Sequence, residues 1–210
     1  MKLTQLALAS LALVSLSASA GVDLSSVNIS AGPFTPEGLA ITVDFDSAIP
    51  AGLSYTGGGI VTGSLSGHWA QPPLSTGNYI TVAPDAGQTG PITIAIGGAG
   101  STYFGMYMGS PDWYNSVTFN GSDGSSMTLS GTDLAGYASV AADGSWGTGF
   151  YFGVKSTSGT TFTSISLDSS QIAFETDNHA FIMAAVPEPE TYGMLLAGLA
   201  LLGLARLRKA

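Results

Sequence analysis

The fold class is decided by the stretch Ile92-Thr93-Ile94-Ala95-Ile96, in which every second side chain is apolar. This period of two turns one face of a β-strand towards a core. The same alternation recurs at residues 41–45, 117–119 and 165–167, and clusters typical of turns lie between these stretches. No apolar stripe with helical spacing exceeds about two turns in residues 21–184. We therefore predict an all-β body, an antiparallel β-sandwich or jelly roll.

The first twenty residues have the three parts of a secretory signal peptide. Lys2 supplies a positive charge, an apolar stretch follows, and Ala18 and Ala20 are the small residues that precede a cleavage site. We predict that residues 1–20 direct export through the Sec translocon and that signal peptidase removes them.

The predicted body, residues 21–184, has the length of one domain and is strongly acidic. Lys155 is the single lysine or arginine in this body. Its positive charge and the twelve negative charges of the acidic residues give the body a formal charge of −11. Such a surface repels phosphate backbones, so nucleic-acid binding is excluded. The chain has no cysteine, so neither disulfides nor thiolate metal sites stabilise it.

The C-terminal residues 185–210 form a third segment with three parts in order. These parts are the triplet Pro187-Glu188-Pro189, an apolar segment over residues 192–205, and a basic cluster of Arg206, Arg208 and Lys209. As a helix the apolar part spans roughly 21 Å, against about 30 Å of hydrocarbon in a bilayer. We predict a short transmembrane helix whose basic end stays in the cytoplasm. The prolines favour an exposed, extended triplet at the membrane surface.

This combination of triplet, short helix and basic end resembles the PEP-CTERM sorting signal. The resemblance implies that an exosortase, a membrane-embedded transpeptidase-like cysteine protease, recognises Pro187, Glu188 and Pro189. It also implies a Gram-negative host that makes exopolysaccharide, and a path from an inner-membrane intermediate to the cell surface or extracellular matrix. The alternative is an ordinary C-terminal anchor that is never processed.

The body also resembles an exosortase-dependent surface-protein family whose members have a β-rich body before the tail. The resemblance rests on residues 103–115, residues 173–178 and the stretch Asp44-Phe45-Asp46. It implies a location and names no ligand.

Two groups of side chains in the body are candidates for binding. Alternation places Asp44 and Asp46 on the same face of one strand, and Glu175 and Asp177 on the same face of a second strand. We expect both pairs to face solvent. Oxygen ligands alone favour calcium, so we predict a calcium site that draws on these acids. The full candidate set is Asp44, Asp46, Glu175, Asp177 and Asn178. The alternative is a solvated acidic face that needs no metal.

The second group is aromatic and has loop-like neighbours, where a flat ring can stack on a sugar. Its members are Trp69, Trp113, Tyr114 and Trp146. Tryptophan and tyrosine are also ordinary core or rim residues, which is the alternative.

Catalytic patterns are absent from the sequence. There is no G-x-S-x-G elbow, and His68 and His179 lack the spacing of a triad or zinc site. Two neighbouring acids can act as the general acid and base of a glycosidase, but one of them would need a pKa raised by an apolar pocket. Nothing in the sequence marks such a pocket. We therefore predict a non-enzymatic surface or matrix protein with a structural or adhesive role in exopolysaccharide or biofilm. The alternatives are a lectin-like carbohydrate-binding module and a glycan-active enzyme.

Overall fold

The structure is a computed structural model, and it describes residues 27–32, 40–156, 159–186, 193–194 and 196–200. In these residues most of the regular structure is β. The strands are β1 (Val27–Ser30), β2 (Ile41–Val43), β3 (Leu53–Thr56), β4 (Gly59–Thr62), β5 (Asn78–Val82), β6 (Ile92–Ile96), β7 (Ser101–Met108), β8 (Asn115–Gly121), β9 (Ser126–Ser130), β10 (Phe150–Lys155), β11 (Phe162–Ser169) and β12 (Phe174–Met183). Between β9 and β10 lies the helix α1 (Gly131–Ala138), and a 3-10 helix spans Pro84–Ala86.

The described strands form one curled antiparallel sheet in which two groups can be distinguished. One group has the order β3-β6-β11-β8-β9. The other has the order β1-β10-β7-β12, and β12 pairs further with β2 and with the β4-β5 hairpin. A single residue pair, Phe162 with Ser101, joins the two groups. Every pairing is antiparallel, so hairpins and longer loops connect the strands at the sheet ends.

The core lies between the two groups of strands and follows the alternation seen in the sequence. Ile92 and Ile94 are fully buried, and Ile96 is 7% exposed. The rings of Phe104 in β7 and Phe119 in β8 lie 6.2 Å apart, so side chains from both groups meet in one core. The prediction of an all-β, antiparallel fold is confirmed. The division into the two separate sheets of a sandwich or jelly roll stays a prediction, because hydrogen bonding is continuous across the strands.

Tyrosine side chains cover the opposite face of β7 and β10, so this face is buried as well. Tyr103 and Tyr151 lie across glycines of the neighbouring strand, and the Tyr103 hydroxyl donates a hydrogen bond to Tyr151 at 3.3 Å. A Cβ atom at Gly105 would lie 1.8 Å from the Tyr151 hydroxyl, and one at Gly153 would lie 2.1 Å from that of Tyr103. These glycines are therefore required for the tyrosines to pack flat on the sheet.

Strand β12 contains a β-bulge that keeps its apolar side chains directed to the core. The three-residue step from Asp177 to Ala180 lies opposite a two-residue step on β7. Asn178 supplies the extra residue with a φ of 47°, a conformation that asparagine tolerates better than most residues. Beyond the bulge His179 points into the core, where its ring nitrogens share hydrogen bonds with Tyr55 and Thr176. Burial lowers the pKa of His179 to about 3, so it is a neutral core residue.

The predicted signal peptide, residues 1–20, lies outside the described residues. Residues 193–194 and 196–200 of the predicted tail helix are helical, and their side chains are exposed. Among the described residues, no helix combines the length and apolar character needed to cross a membrane.

Candidate functional site

A cavity of about 270 Å³ lies at one end of the sheet. Its walls come from the turn between β4 and β5, the loop between β7 and β8, the loop between α1 and β10, and the beginning of β12. The cavity contains three aromatic side chains and three carboxylates, and none of its lining residues is a lysine or arginine. These six residues are Trp69, Tyr114, Trp146, Asp112, Asp143 and Glu175.

The first wall is a tight turn that positions Trp69. The backbones of Leu65 and Trp69 exchange two hydrogen bonds, of 3.0 and 3.1 Å, and Gly67 has the positive φ that the turn requires. The next backbone N–H, that of Ala70, donates to Glu175 Oε1 at 2.7 Å. This hydrogen bond fastens the turn to β12 and therefore places Trp69 and Glu175 in the same cavity.

The opposite wall brings two loops together through Asp112 and Asp143, which form an isolated β-bridge. The Gly144 N–H donates to the Pro111 carbonyl at 3.1 Å. Gly144 has a φ of 70°, and a Cβ atom there would lie 2.4 Å from Asp112 Oδ1. A side chain at position 144 would therefore clash with the Asp112 carboxylate, so a glycine is needed beside this bridge.

The aromatic side chains of the cavity differ in exposure. Trp146 is 70% exposed at the rim, whereas Tyr114 is half-buried and donates a hydrogen bond to the Ile172 carbonyl at 2.5 Å. Trp113 is not among the residues that line the cavity and is 61% exposed. Its ring meets the Tyr114 ring edge-on, with the ring centroids 5.4 Å apart. Three of the four aromatic residues proposed from the sequence thus line one cavity, and Trp113 does not.

Two of the three cavity carboxylates, those of Glu175 and Asp112, resist ionisation, whereas hydrogen bonds from Ser145 lower the pKa of Asp143. Burial raises the pKa of Glu175 to about 7; the negative charge of Asp112 adds to this rise, and the hydrogen bond from Ala70 opposes it. Burial also raises the pKa of Asp112, with a further contribution from Asp143, while the neighbouring Tyr114 hydroxyl lowers it. Desolvation is therefore the main cause in both residues. Neither Asp112 nor Asp143 is among the binding residues predicted from the sequence.

The cavity wall also carries polar atoms without a partner. Nδ1 of His68 and Nε1 of Trp69 are shielded from solvent and have no hydrogen-bond partner among the described residues. Buried polar groups are nearly always paired, because an unpaired one costs about 1–3 kcal/mol. The turn that holds Trp69 therefore retains unused hydrogen-bonding capacity beside the carboxylates.

The residues proposed for calcium divide between two neighbourhoods. Glu175 lies in the cavity with Asp112, whereas Asp177 interacts electrostatically with Asp46 and Asp44. Burial raises the pKa of Asp177 to about 6, and the two aspartates contribute to that rise. Within the described ranges, no three histidine, aspartate or glutamate side chains converge to hold a metal ion. Calcium binding stays a prediction.

The expectation that both acidic pairs face solvent is wrong for Glu175 and Asp177. They share one face of β12 as predicted, but they are only 4% and 2% exposed. The segment that follows Trp69 covers this face, since Ala70 donates to Glu175 and the Ser75 hydroxyl donates to Asp177. Alternation within a strand cannot reveal such a covering loop.

Asp44 and Asp46 are exposed and stabilise loop backbone. Asp44 Oδ1 accepts hydrogen bonds from the N–H groups of Asp46 and Ser47, at 3.1 and 3.2 Å. Asp46 Oδ1 accepts one from the Asn78 N–H at 2.9 Å. Asn178, the fifth residue of the set, is the bulge residue of β12.

The sorting triplet Pro187, Glu188 and Pro189 and the basic residues Arg206, Arg208 and Lys209 lie outside the described residues. The assignment of these residues to a sorting signal rests on the sequence comparison. Residues 185–209 match the family model of the PEP-CTERM protein-sorting motif. No curated protein and no solved structure matches the chain. The motif implies export, recognition by an exosortase and sorting to the cell surface. The chain therefore carries at its C-terminus the PEP-CTERM sorting motif that its triplet, apolar segment and basic cluster resemble.

Proposed function

We propose that this exported, exosortase-sorted protein binds exopolysaccharide at the cell surface through the cavity, and so has an adhesive or structural role in the extracellular matrix. The proposal includes passage through the Sec translocon, removal of residues 1–20 by signal peptidase, and a transient membrane-bound stage. The observation that carries the binding role is the convergence of Trp69, Tyr114 and Trp146 with three carboxylates in one cavity.

This combination suits a sugar because a sugar ring has two kinds of surface. Its C–H face packs on aromatic rings, and its hydroxyls hydrogen-bond to carboxylates and to ring N–H groups. Ligand sites in proteins are concave and pair apolar walls with a few polar groups that fix orientation. Trp146 at the rim supplies an accessible platform, while Asp112 and Glu175 supply acceptors deeper in the cavity.

Binding is tested by substituting two tryptophans of similar exposure. The purified full-length protein in detergent is titrated with a glycan panel and with exopolysaccharide. We expect Trp146→Ala to weaken binding about tenfold, the equivalent of roughly 1.4 kcal/mol of lost ring contact. Trp113→Ala, outside the cavity lining, serves as the matched control and should bind within about twofold of the unaltered protein. Absence of binding to every glycan, or equal losses in the two variants, would contradict the proposal.

A second candidate function is hydrolysis of a glycosidic bond. The specific observation is that Glu175 and Asp112 share the cavity and that burial raises the pKa of Glu175 to about 7, as a general acid at neutral pH requires. Release of reducing ends from a bound glycan, lost in Glu175→Gln but retained in Asp85→Asn, would favour this function. Binding without such release favours the non-enzymatic role.

A further inference from the structure

The charge of the cavity restricts which sugars it can take. Asp112, Asp143 and Glu175 contribute three carboxylates, and the residues that line the cavity include no lysine or arginine. Lys155, the one such residue in the described part of the chain, lies at the end of β10 away from this lining. A uronate or phosphorylated sugar would bring a further negative charge into a partly desolvated acidic site, where like charges repel strongly.

A neutral sugar also has a disadvantage in this cavity. Its ring displaces water from the carboxylates and offers only hydroxyl donors in exchange. A protonated amine provides three donors and a positive charge, and hydrogen bonds between charged groups are about twice as strong as neutral ones. The aromatic walls add to this preference, because the faces of Trp146, Trp69 and Tyr114 attract cations.

We propose, resting on the carbohydrate-binding function above, that the cavity selects a sugar unit with a free, protonated amine, such as glucosamine in a partly deacetylated polysaccharide. The aromatic rings bind the sugar ring, and the carboxylates of Glu175 and Asp112 bind its ammonium group. Acetylation of the amine removes the charge and adds bulk, so it should weaken binding.

Selection of an ammonium group has a consequence for pH dependence. The titratable groups that face Glu175 or share its cavity are Asp112, Asp143, Tyr79, Tyr114 and His68. An ammonium ligand favours the ionised form of Glu175, so its affinity should rise between pH 5 and 7 as the carboxyl loses its proton. A neutral ligand does not favour the ionised form of Glu175, so its affinity should not rise over this pH range.

The test uses isothermal titration of the purified full-length protein with three oligosaccharides of equal length. These are a glucosamine oligomer, its fully N-acetylated counterpart and a galacturonate oligomer. We expect the glucosamine oligomer to bind at least about tenfold more tightly than the acetylated one, with the preference rising from pH 5 to 7. The galacturonate oligomer should not bind. Glu175→Gln and Asp112→Asn should each reduce the preference to about threefold or less.

Asp85→Asn is the control for general attraction to the acidic surface, because Asp85 is exposed and lies outside the cavity lining. Its effect should be negligible, and a lysine oligomer or choline should not compete with the sugar. Competition by either, or equal losses in Asp85→Asn and Glu175→Gln, would show a general cation site and overturn the proposal.

Two further outcomes separate this inference from the proposed function. In the first, the acetylated oligomer binds as tightly as the glucosamine oligomer, and Trp146→Ala weakens both. This result would overturn selection for the amine but would still support carbohydrate binding. Absence of binding by any oligosaccharide, in the panel as well as here, would overturn both.

Discussion

Glu175 occupies an environment that opposes its ionisation. It is 4% exposed, receives one hydrogen bond from the Ala70 N–H, and lies near the carboxyl of Asp112. A carboxyl group in such surroundings destabilises the folded state when it is charged, unless a ligand supplies a compensating positive group. The presence of an acid at this position is therefore easier to explain by binding than by stability.

The stability effect of Glu175 depends on pH in a direction set by its raised pKa. The folded-state pKa of about 7 exceeds the ordinary 4.5, so the folded state holds the proton more tightly. Below about pH 4.5 Glu175 is protonated in both the folded and the unfolded state, and its full contribution to the free energy of unfolding is present. As the pH rises through the folded-state pKa of about 7, the group becomes charged and this contribution is lost. Glu175→Gln should therefore raise the free energy of unfolding at pH 8 by up to about 3 kcal/mol, and change it little at pH 4.

Urea unfolding of the full-length protein at the two pH values measures this difference. Asp85→Asn, at an exposed position, should leave stability unchanged at both. An equal gain at pH 4 and pH 8 in Glu175→Gln would show that relief of charge is not the cause.

Strand β12 connects the core to the cavity. It pairs with β7, β5 and β2, it contributes Phe174, His179 and Phe181 to the core side, and it carries Glu175 on the other face. The bulge at Asn178 absorbs one residue, so side chains on both sides of it keep their faces. Without this extra residue, His179 and Phe181 would turn away from the core.

Substitution of Asn178 tests the bulge. Its φ of 47° is accessible to glycine and tolerable for asparagine, but strained for a β-branched residue. Asn178→Val should lower the free energy of unfolding by about 1–2 kcal/mol, whereas Asn178→Gly should stay within roughly 0.5 kcal/mol of the unaltered protein. Urea unfolding monitored by circular dichroism measures both. If the valine variant is as stable as the glycine variant, the bulge does not require this backbone conformation.

In the whole molecule, the sorting motif and the candidate binding cavity lie in separate parts of the chain. Residues 185–209 carry the sorting motif, and the cavity lies entirely in the β-structured body. The body's formal charge of −11 discourages contact with anionic polymers and favours cationic or neutral ones. The two parts can therefore be altered independently, with separate effects on sorting and on sugar binding.

Replacement of the triplet tests sorting alone. In the triple variant Pro187→Ala, Glu188→Ala and Pro189→Ala, all three residues of the triplet in the sorting motif are replaced, so exosortase processing should stop. Cell fractionation and intact-mass measurement should then find the protein with its tail, in the membrane fraction. Glu190→Ala, immediately outside the triplet, should be processed like the unaltered protein. Normal processing of the triple variant would contradict the assignment of these three residues.

Much of this protein's organisation is local in the sequence and could be predicted from it. Alternation at Ile92, Ile94 and Ile96 predicts half-buried strands, because a strand's side chains take opposite faces in turn. The C-terminal motif is likewise a continuous stretch, recognisable without any fold.

The cavity could only be predicted in part. The sequence predicts Trp69, Tyr114 and Trp146 as candidate sugar-stacking residues, but whether they meet depends on loops that are far apart in the chain. Asp112 and Asp143 approach each other through an isolated bridge with no local signature, and a covering loop buries Glu175. By itself, therefore, the sequence determined the strand composition, the acidity of the body and the sorting tail, since each depends on neighbouring or summed residues. The tertiary structure alone decided which acids and aromatics share a cavity and which acid resists ionisation, because burial and proximity arise only when distant segments pack together.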